Sequence, residues 1–299
     1  MSIPEVATEM IEKIDLSKID ETSRTLFLVG SSNVGKTTLL FSFFDKSDTP
    51  HETLVLEYSF GRKSNQKQGV DKSICHIWEY GGKLDTLRHI LRSIPIKGLH
   101  YYCIMVDLSK IKTLWNTLEL CIQAMKESNS DVKDKAPEII LLGGKYDLYK
   151  NYDAEIKKII CTTLRSIAVL LEAHLMFYSS KETSLGRRAK EMLHGLSFGN
   201  GISLKEKITH VNKPLSIPKG SDTWDSIGVQ PSTLEQIKAR HLARIQTESG
   251  VAPVDELVLP QITHAEPVLD SKVTSIYDNL KNNEFLDISI TDYLSGLQI

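Results

Sequence analysis

Residues 30–37 read Gly30-Ser31-Ser32-Asn33-Val34-Gly35-Lys36-Thr37, which matches the phosphate-binding pattern GxxxxGK(S/T) at every fixed position. Glycines let the backbone curl so that successive N–H groups and a helix N-terminus point at phosphate oxygens. Lys36 supplies a positive charge, and the Thr37 hydroxyl is placed to reach a magnesium ion. We therefore predict that residues 30–38, including Thr38, bind the phosphates of a nucleotide.

The sequence on both sides of this loop fits the same interpretation. Residues 25–29 form an apolar run typical of a buried strand, and residues 38–44 place Leu40, Phe43 and Phe44 on one helical face. Strand, loop and helix in this order are what a phosphate loop requires. A glycine-rich turn without a nucleotide is the alternative, and the sequence leaves open whether nucleotide is bound or hydrolysed.

The bulk composition is that of an ordinary globular protein. The chain has 299 residues, 41% hydrophobic and 25% charged, with a net charge of −2, which gives no long-range attraction to nucleic acid or to an anionic membrane. The four cysteines lie in apolar runs without C-x-x-C spacing, so we expect reduced core residues of an intracellular protein (Cys75, Cys103, Cys121 and Cys161). We find no signal peptide, membrane span or lipidation motif, and we expect no membrane anchor of its own.

Buried strands and amphipathic helices alternate through the middle of the chain. Apolar runs at 101–106, 138–142 and 175–178 are each followed by a segment with helical periodicity. Alternation at 54–60, followed by a turn and a second run at 70–79, predicts an antiparallel hairpin at one edge. Together these patterns predict a three-layer α/β sandwich with a mostly parallel sheet and one antiparallel edge strand, in the P-loop NTPase (Ras-like GTPase) fold.

The sequence divides into three predicted parts. Residues 1–20 carry an amphipathic helical stripe, residues 21–228 form the Ras-like P-loop domain, and residues 229–299 form a C-terminal extension. The extension has too little apolar content for a core of its own, so we expect it to be partly disordered or ordered by a partner.

A second element of a GTPase site follows the third predicted strand. Residues 78–83 read Trp-Glu-Tyr-Gly-Gly-Lys, where GTPases of the Arf type carry WDxxGQ. The acid of that motif serves magnesium and its glutamine orients the attacking water. Glu79 retains the acidic group, but a charged Lys83 cannot accept a proton from water, so we expect very slow hydrolysis and assign no catalytic residue. Thr53, just before the edge strand, is either a further magnesium ligand or a simple strand-start residue.

Two later segments resemble the elements that recognise guanine. Gly144-Lys145-Tyr146-Asp147 stands where NKxD is expected, so Asp147 would accept hydrogen bonds from the base and the Lys145 stem would stack on it. Ser180 and Lys181 belong to an SAK-like element whose backbone N–H groups meet the base. Each of these matches is weak by itself, and residues 145–147 alone would be interpreted as a solvated turn. Their order after a complete phosphate loop favours guanine over adenine.

Other groups in the sequence carry weaker signals. The histidines show no paired ligand spacing, so His76, His89, His100 and His174 are interpreted as packing or surface residues. The basic run at 62–67 is interpreted as a solvated hairpin loop, with contact to an acidic partner as the alternative.

Several longer segments resemble the dynein light intermediate chain family, of the cytoplasmic dynein 2 type. They are the phosphate loop, residues 54–62 after Thr53, residues 78–82, residues 106–110 with Leu114-Trp115, residues 144–147 and residues 212–215. The LEYxxGR and NKPL segments are the most specific, since GTPases in general lack them. The resemblance covers about residues 20–228.

This resemblance implies an accessory subunit without catalytic activity. It implies binding to the dynein 2 heavy chain, other dynein 2 subunits and intraflagellar transport particles, with no nucleic-acid partner. It also implies a cytoplasmic protein of the cytoskeleton, the cilium or flagellum and the basal body. GDP or GTP with Mg²⁺ would be held by the residues named above, or the site would be empty; the metal ligands would be Thr37, Thr53 and Glu79. The alternative is an active small GTPase that controls ciliary or vesicle traffic.

Overall fold

The computed structural model of the chain describes residues 23–64, 72–96, 98–129, 137–199, 206–245 and 271–276. The predicted N-terminal helix at 1–20 lies outside the described residues, as does most of the predicted extension. Residues 271–276 form a short helical stretch in the C-terminal unit, residues 251–299, and are exposed.

A seven-stranded sheet forms the centre of the described part of the chain, in the order β2-β3-β1-β4-β5-β6-β7. Its strands are β1 (Ser23–Gly30), β2 (Leu56–Ser64), β3 (Lys72–Tyr80), β4 (Leu99–Asp107), β5 (Glu138–Gly144), β6 (His174–Phe177) and β7 (Ser216–Ile217). The five strands from β3 to β6 pair in parallel, whereas β2 and β7 pair antiparallel at the two edges. Since the parallel strands run in one direction, the loops that follow β1, β3, β4, β5 and β6 meet at one edge of the sheet.

The helices cover both faces of this sheet. They are α1 (Lys36–Phe43), α2 (Leu87–Ser93), α3 (Ile111–Asn129), α4 (Tyr146–Tyr149), α5 (Ala154–Leu170), α6 (Thr183–Phe198), α7 (Trp224–Ile227) and α8 (Leu234–Leu242), with a 3₁₀ turn at Leu84–Thr86.

Two hydrophobic cores lie on opposite faces of the sheet. One joins the alternate strand residues to α2, α3, α5 and α8 and contains the fully buried Trp115 and Tyr102. The other joins the remaining strand residues to α1 and α6 and contains Leu39 and Met192. This arrangement is possible because β4 and β5 are apolar on both faces. The predicted three-layer α/β fold with a mostly parallel sheet and an antiparallel edge is confirmed.

The two edges of the sheet differ in detail from the prediction. β2 begins at Leu56, and Leu54 before it is 80% exposed rather than paired in the strand. At the other edge, β7 adds a second antiparallel pairing that we did not predict. A two-residue strand is too short to show a periodicity in the sequence.

Helix α8 packs against α5 and buries Ile237, and Ile245 just beyond the helix is buried as well. The chain divides into compact units after residue 250, so residues 229–245 belong to the same unit as the sheet. The bounds that we gave for the three parts stay predictions.

All four cysteines are buried, as expected for core residues, and none is in a disulfide. His76 hydrogen-bonds Tyr58, and His174 hydrogen-bonds Glu138, in line with packing or surface roles. Arg62 and Lys63 are exposed at the end of β2, and residues 65–67 of the basic run lie outside the described residues. Within the described ranges, no helix is both long and apolar enough to cross a membrane.

Candidate functional site

The loop between β1 and α1 has the curled backbone that a phosphate loop needs. Gly30 and Gly35 have φ angles of 129° and 101°, and Asn33 has a φ of 56°. A Cβ atom on Gly30 would lie 1.9 Å from the carbonyl oxygen of Met105, which also accepts a hydrogen bond from the Ser31 amide at 2.9 Å. The loop is thus fixed against the end of β4, and only glycine fits its first position.

The Lys36 side chain is buried inside this loop. Its Nζ donates to the carbonyl oxygens of Ser31, at 2.8 Å, and of Gly30, at 3.4 Å. Burial lowers the pKa of Lys36, and the nearby Glu79 carboxyl opposes that shift. The positive charge of Lys36 is therefore held among the loop carbonyls, next to the position where phosphate oxygens would lie.

Thr37, Thr53 and Glu79 come together beside the loop, as predicted for magnesium ligands. The Thr37 hydroxyl donates to Glu79 Oε1 at 2.6 Å. The Thr53 hydroxyl is buried and makes no hydrogen bond, although it lies close enough to Glu79 to lower the pKa of that carboxyl. One carboxylate and two hydroxyls, one of them buried without a partner, are a donor set suited to a hard cation such as Mg²⁺.

Glu79 also makes the stability of the site depend on pH. Burial raises its pKa, against the hydrogen bond from Thr37 and the charge of Lys36, which lower it. A raised pKa in the folded state means that the protonated form is favoured there, so stability is lost as the pH rises through the folded pKa.

We expect the stability of Glu79→Gln relative to the wild type to increase as the pH rises through the folded pKa of Glu79. The reason is that only the wild type must then keep a charged carboxylate at this buried position. Thermal melts in metal-free buffer from pH 4 upward would measure the difference between the two proteins. As a control, Glu191→Gln changes an exposed carboxyl on α6 that does not line the cleft. A difference between wild type and Glu79→Gln that stays constant with pH would contradict this assignment.

These residues line one open cleft of about 240 Å³. Its walls are Ser32, Asn33, Gly35, Lys36, Thr37, Thr38, Pro50, His51, Glu52, Thr53, Glu79 and Gly81. Most of the predicted phosphate and metal residues are therefore brought together. Pro50, His51 and Glu52 were not predicted, because a polar link before a strand has no pattern that distinguishes a cleft wall from a surface loop.

The predicted base-recognition residues have other partners in this structure. Lys145 Nζ donates to Asp107 Oδ2 at 2.7 Å, and the Asp107 side chain is fully buried. Asp147 Oδ1 accepts from the Ser179 hydroxyl at 2.6 Å, and its Oδ2 lies 3.3 Å from Lys181 Nζ. Burial raises the pKa of Asp147, but the hydrogen bonds from Ser179 and Lys181 outweigh it and leave the pKa below its usual value.

This geometry orders the segment but does not place it in the phosphate cleft. Lys145, Asp147, Ser180 and Lys181 do not line the cleft, and Ser180 is exposed. The roles assigned to these four residues in base binding stay predictions. Asp107 is the residue that sequence reasoning missed, and its position directly after a buried strand was the available signal.

Gly144 packs directly on the phosphate loop. A Cβ atom at this position would lie 2.6 Å from Val34 Cγ2 and 3.0 Å from the Val34 carbonyl oxygen. Val34 is itself 2% exposed. At the position where the NKxD pattern has asparagine, the contact between the two loops is thus made by backbone and a valine methyl group.

The segments before β2 and after β3 are joined by hydrogen bonds. The carbonyl oxygen of Val55 accepts from the Gly81 amide at 2.8 Å and from the Gly82 amide at 3.3 Å. A Cβ atom on Gly81 would lie 1.8 Å from the Thr53 carbonyl oxygen. We call this contact the Val55 latch; it closes the two segments on each other at the cleft.

Comparisons with known proteins place this site in a family. A profile described as Ras family matches residues 25–184. "Cytoplasmic dynein 2 light intermediate chain 1" of Danio rerio is 31% identical over 252 residues, which cover 73% of this chain and 70% of that protein. The protein of the same name from Homo sapiens is 32% identical over 253 residues, 72% of this chain and 71% of that protein. The chain belongs to the cytoplasmic dynein 2 light intermediate chain family.

Membership of this family confirms the resemblance predicted from the phosphate loop and from the LEYxxGR and NKPL segments. This member of the dynein 2 light intermediate chain family contains a Ras-family domain, matched by residues 25–184. A solved structure, "Crystal Structure of the Dynein Light Intermediate Chain's Conserved Domain", aligns with a TM-score of 0.44 at 13% identity, over 73% of this chain and 88% of that one. A likeness of this size supports no further conclusion.

Proposed function

We propose that the chain is a non-catalytic accessory subunit of the cytoplasmic dynein 2 motor. It binds and stabilises the tail of the dynein 2 heavy chain and contacts other dynein 2 subunits and intraflagellar transport particles. In this role the chain takes part in microtubule-based retrograde intraflagellar transport and in cilium assembly. Its locations are then the cytoplasm, the basal body and the cilium or flagellum. The observation that carries this proposal is the similarity to dynein 2 light intermediate chains over 70% of their length or more.

Two features of the cleft support a subunit without catalytic activity. Lys83, at the position of the water-orienting glutamine, is exposed and does not line the cleft. The Gly82 amide, at the position that senses a γ-phosphate in GTPases, is already engaged in the Val55 latch. Both features remove interactions on which a GTP-dependent switch relies.

The heavy-chain proposal is tested by coexpression. We expect the tagged chain and the tail segment of the dynein 2 heavy chain to copurify and to coelute as one peak in size-exclusion chromatography. A Ras-family GTPase with the same tag is the matched control, because it shares the fold but lacks the LEYxxGR and NKPL segments. Separate elution of the two proteins at micromolar concentration would overturn the proposal.

The loop residues 30–38 would hold the phosphates of GDP or GTP, and Thr37, Thr53 and Glu79 would hold Mg²⁺. The bound nucleotide would bring phosphate charge to the loop. In this proposal its role is to stabilise the folded domain. The protein's part is to orient the phosphates with backbone amides and to match their charge with Lys36.

We expect GDP with Mg²⁺ to raise the stability of the wild type but not that of Lys36→Ala. A ligand that binds only the folded state adds about 2.7 kcal/mol at roughly 100 times its dissociation constant. Thermal melts with and without excess GDP measure the shift. Lys126→Ala, which changes an exposed lysine on α3, should keep the full shift. Equal shifts of the melting temperature in wild type and Lys36→Ala, or no shift in the wild type, would contradict a stabilising role for the nucleotide.

An active GTPase that controls ciliary or vesicle traffic is the second candidate. It is favoured by one observation, the correctly curled phosphate loop with Lys36 and Thr37 in place. Multiple turnovers of GTP by the purified chain, abolished in Lys36→Ala, would support it against the non-catalytic proposal.

A further inference from the structure

A second concave site lies between α5 and α8 and shares no lining residue with the phosphate cleft. We call it the α5–α8 groove. It has a volume of about 280 Å³ and is lined by Glu155, Lys158, Ile159, Thr162, Thr163, Ser166, Ile237, Arg240 and Arg244. Nothing in the roles proposed above uses it.

The groove carries an excess of positive charge. Lys158, Arg240 and Arg244 face a single acidic residue, Glu155, among the lining side chains. Arg240 is held by a hydrogen bond from its Nη2 to the Ser232 hydroxyl at 2.7 Å. Within the described part of the chain, none of the three cations forms an ion pair. Since the chain as a whole has a net charge of −2, this concentration of unpaired cations is local and favours an anionic ligand.

A buried hydroxyl in the groove also lacks a partner. Ser166 is 1% exposed, and its Oγ forms no hydrogen bond in the structure. Its neighbour on the same helix, Thr163, is paired with His241 Nδ1 at 3.1 Å. An unpaired buried hydroxyl destabilises the free protein, so a ligand oxygen that accepts a hydrogen bond from Ser166 would recover that loss.

The floor of the groove is apolar. Ile237 is 1% exposed, and Ile159 packs at the edge of the same core. A free phosphate ion would gain nothing from this floor, whereas a peptide that carries both acidic and apolar side chains uses the floor and the cationic rim together.

We propose that the α5–α8 groove binds an acidic, partly apolar peptide segment of a partner protein. Carboxylates of that segment lie against Lys158, Arg240 and Arg244, an apolar side chain contacts Ile159 and Ile237, and one oxygen accepts a hydrogen bond from Ser166. The inference goes beyond the proposed subunit role, because it holds whether or not the chain binds nucleotide or a heavy chain.

The test uses the full chain and a fluorescein-labelled peptide of glutamates with two spaced leucines, followed by fluorescence anisotropy. We expect saturable binding that weakens as salt rises, because the rim charges are exposed to screening. Arg240→Glu combined with Arg244→Glu should weaken binding by about tenfold or more. Arg187→Glu is the matched control, since Arg187 is an exposed arginine on α6, and it should bind as the wild type does.

Ser166→Ala separates a binding role from a structural one. We expect weaker peptide binding together with an unchanged or higher melting temperature, because the variant removes an unpaired hydroxyl from the free protein. A purely structural serine would leave binding unchanged. If the double charge-reversed variant does not fold, Arg240→Gln replaces it in the binding measurement. This variant removes one charge from the groove, keeps a hydrogen-bonding side chain, and should bind the peptide more weakly than the wild type.

Three results would overturn the proposal. The first is equal binding of the probe to the charge-reversed variant and to Arg187→Glu. The second is equal binding of a twin peptide with lysine in place of glutamate. The third is full displacement of the probe by millimolar inorganic phosphate at constant ionic strength, which would identify a small-anion site instead of a peptide site.

Discussion

Asp222→Ala is expected to lower the free energy of unfolding by about 3–5 kcal/mol at neutral pH, because it leaves the guanidinium of Arg165 buried without its charge partner. Arg165 Nε donates to Asp222 Oδ2 at 2.7 Å and Nη2 donates to Oδ1 at 2.9 Å. The two side chains are 11% and 3% exposed. The pair joins α5 to the segment that follows β7, so its loss loosens the chain that leads into α7 and α8.

The pH dependence of this variant follows from the pKa of Asp222. Burial raises that pKa, but the hydrogen bonds from Arg165 and Ser226 outweigh it and leave the pKa below its usual value. A lowered pKa contributes stability above the unfolded value of about 3.9, and that stability is lost as the pH falls through the folded pKa. The difference between wild type and Asp222→Ala should therefore shrink below about pH 4.

Chemical denaturation at several pH values measures both effects. The control is the double variant Arg165→Met with Asp222→Leu, which removes both charges and should lose less stability than either single variant. A single variant within about 1 kcal/mol of the wild type at neutral pH would show that the pair is solvated and of little weight.

Gly144→Asn restores the residue of the NKxD pattern, yet we expect it to lower stability by about 3 kcal/mol and to weaken any nucleotide binding. The added Cβ would lie 2.6 Å from Val34 Cγ2, and 3.2 Å from Met105 Cε. Methionine is flexible enough to move, but Val34 is fixed by the loop. The phosphate loop must therefore shift to admit the new side chain.

A double-mutant cycle tests this explanation. Val34→Ala removes the methyl groups and should recover part of the loss when combined with Gly144→Asn, with a coupling energy of about 1 kcal/mol or more. Chemical denaturation of the four proteins gives the coupling. Strictly additive effects would mean that the two loops do not press on each other, and a Gly144→Asn variant as stable as the wild type would contradict the contact itself.

The sequence sufficed for the architecture because the deciding patterns are local. The apolar runs of β4 and β5 and the GxxxxGK(S/T) loop each specify an element without knowledge of its partners. The nearness of Glu79 to the phosphate loop was accessible in the same way, since parallel strands bring their ends to one edge. The binding roles of these residues stay predictions.

What the sequence did not reveal depends on contacts between distant residues. We expected the stem of Lys145 to stack on a base, but its ammonium group is hydrogen-bonded to Asp107. The sequence did not reveal this pair because 38 positions separate the two residues. The close approach of Gly144 to Val34 explains a glycine that sequence reasoning described only as a missing asparagine. The α5–α8 groove was missed for the same reason, since its two walls are about 80 positions apart in the chain.

The Val55 latch has an energetic consequence for any ligand that needs the Gly81 and Gly82 amides. Each of its two hydrogen bonds contributes about 1 kcal/mol net, so the open form is populated about thirtyfold less than the closed one. A triphosphate that requires the open form loses that factor in affinity, whereas a diphosphate does not. A partner that contacts the surface around the cleft would therefore meet the same closed arrangement whether the site is empty or holds a diphosphate, and only a triphosphate that binds with the latch open would change that surface.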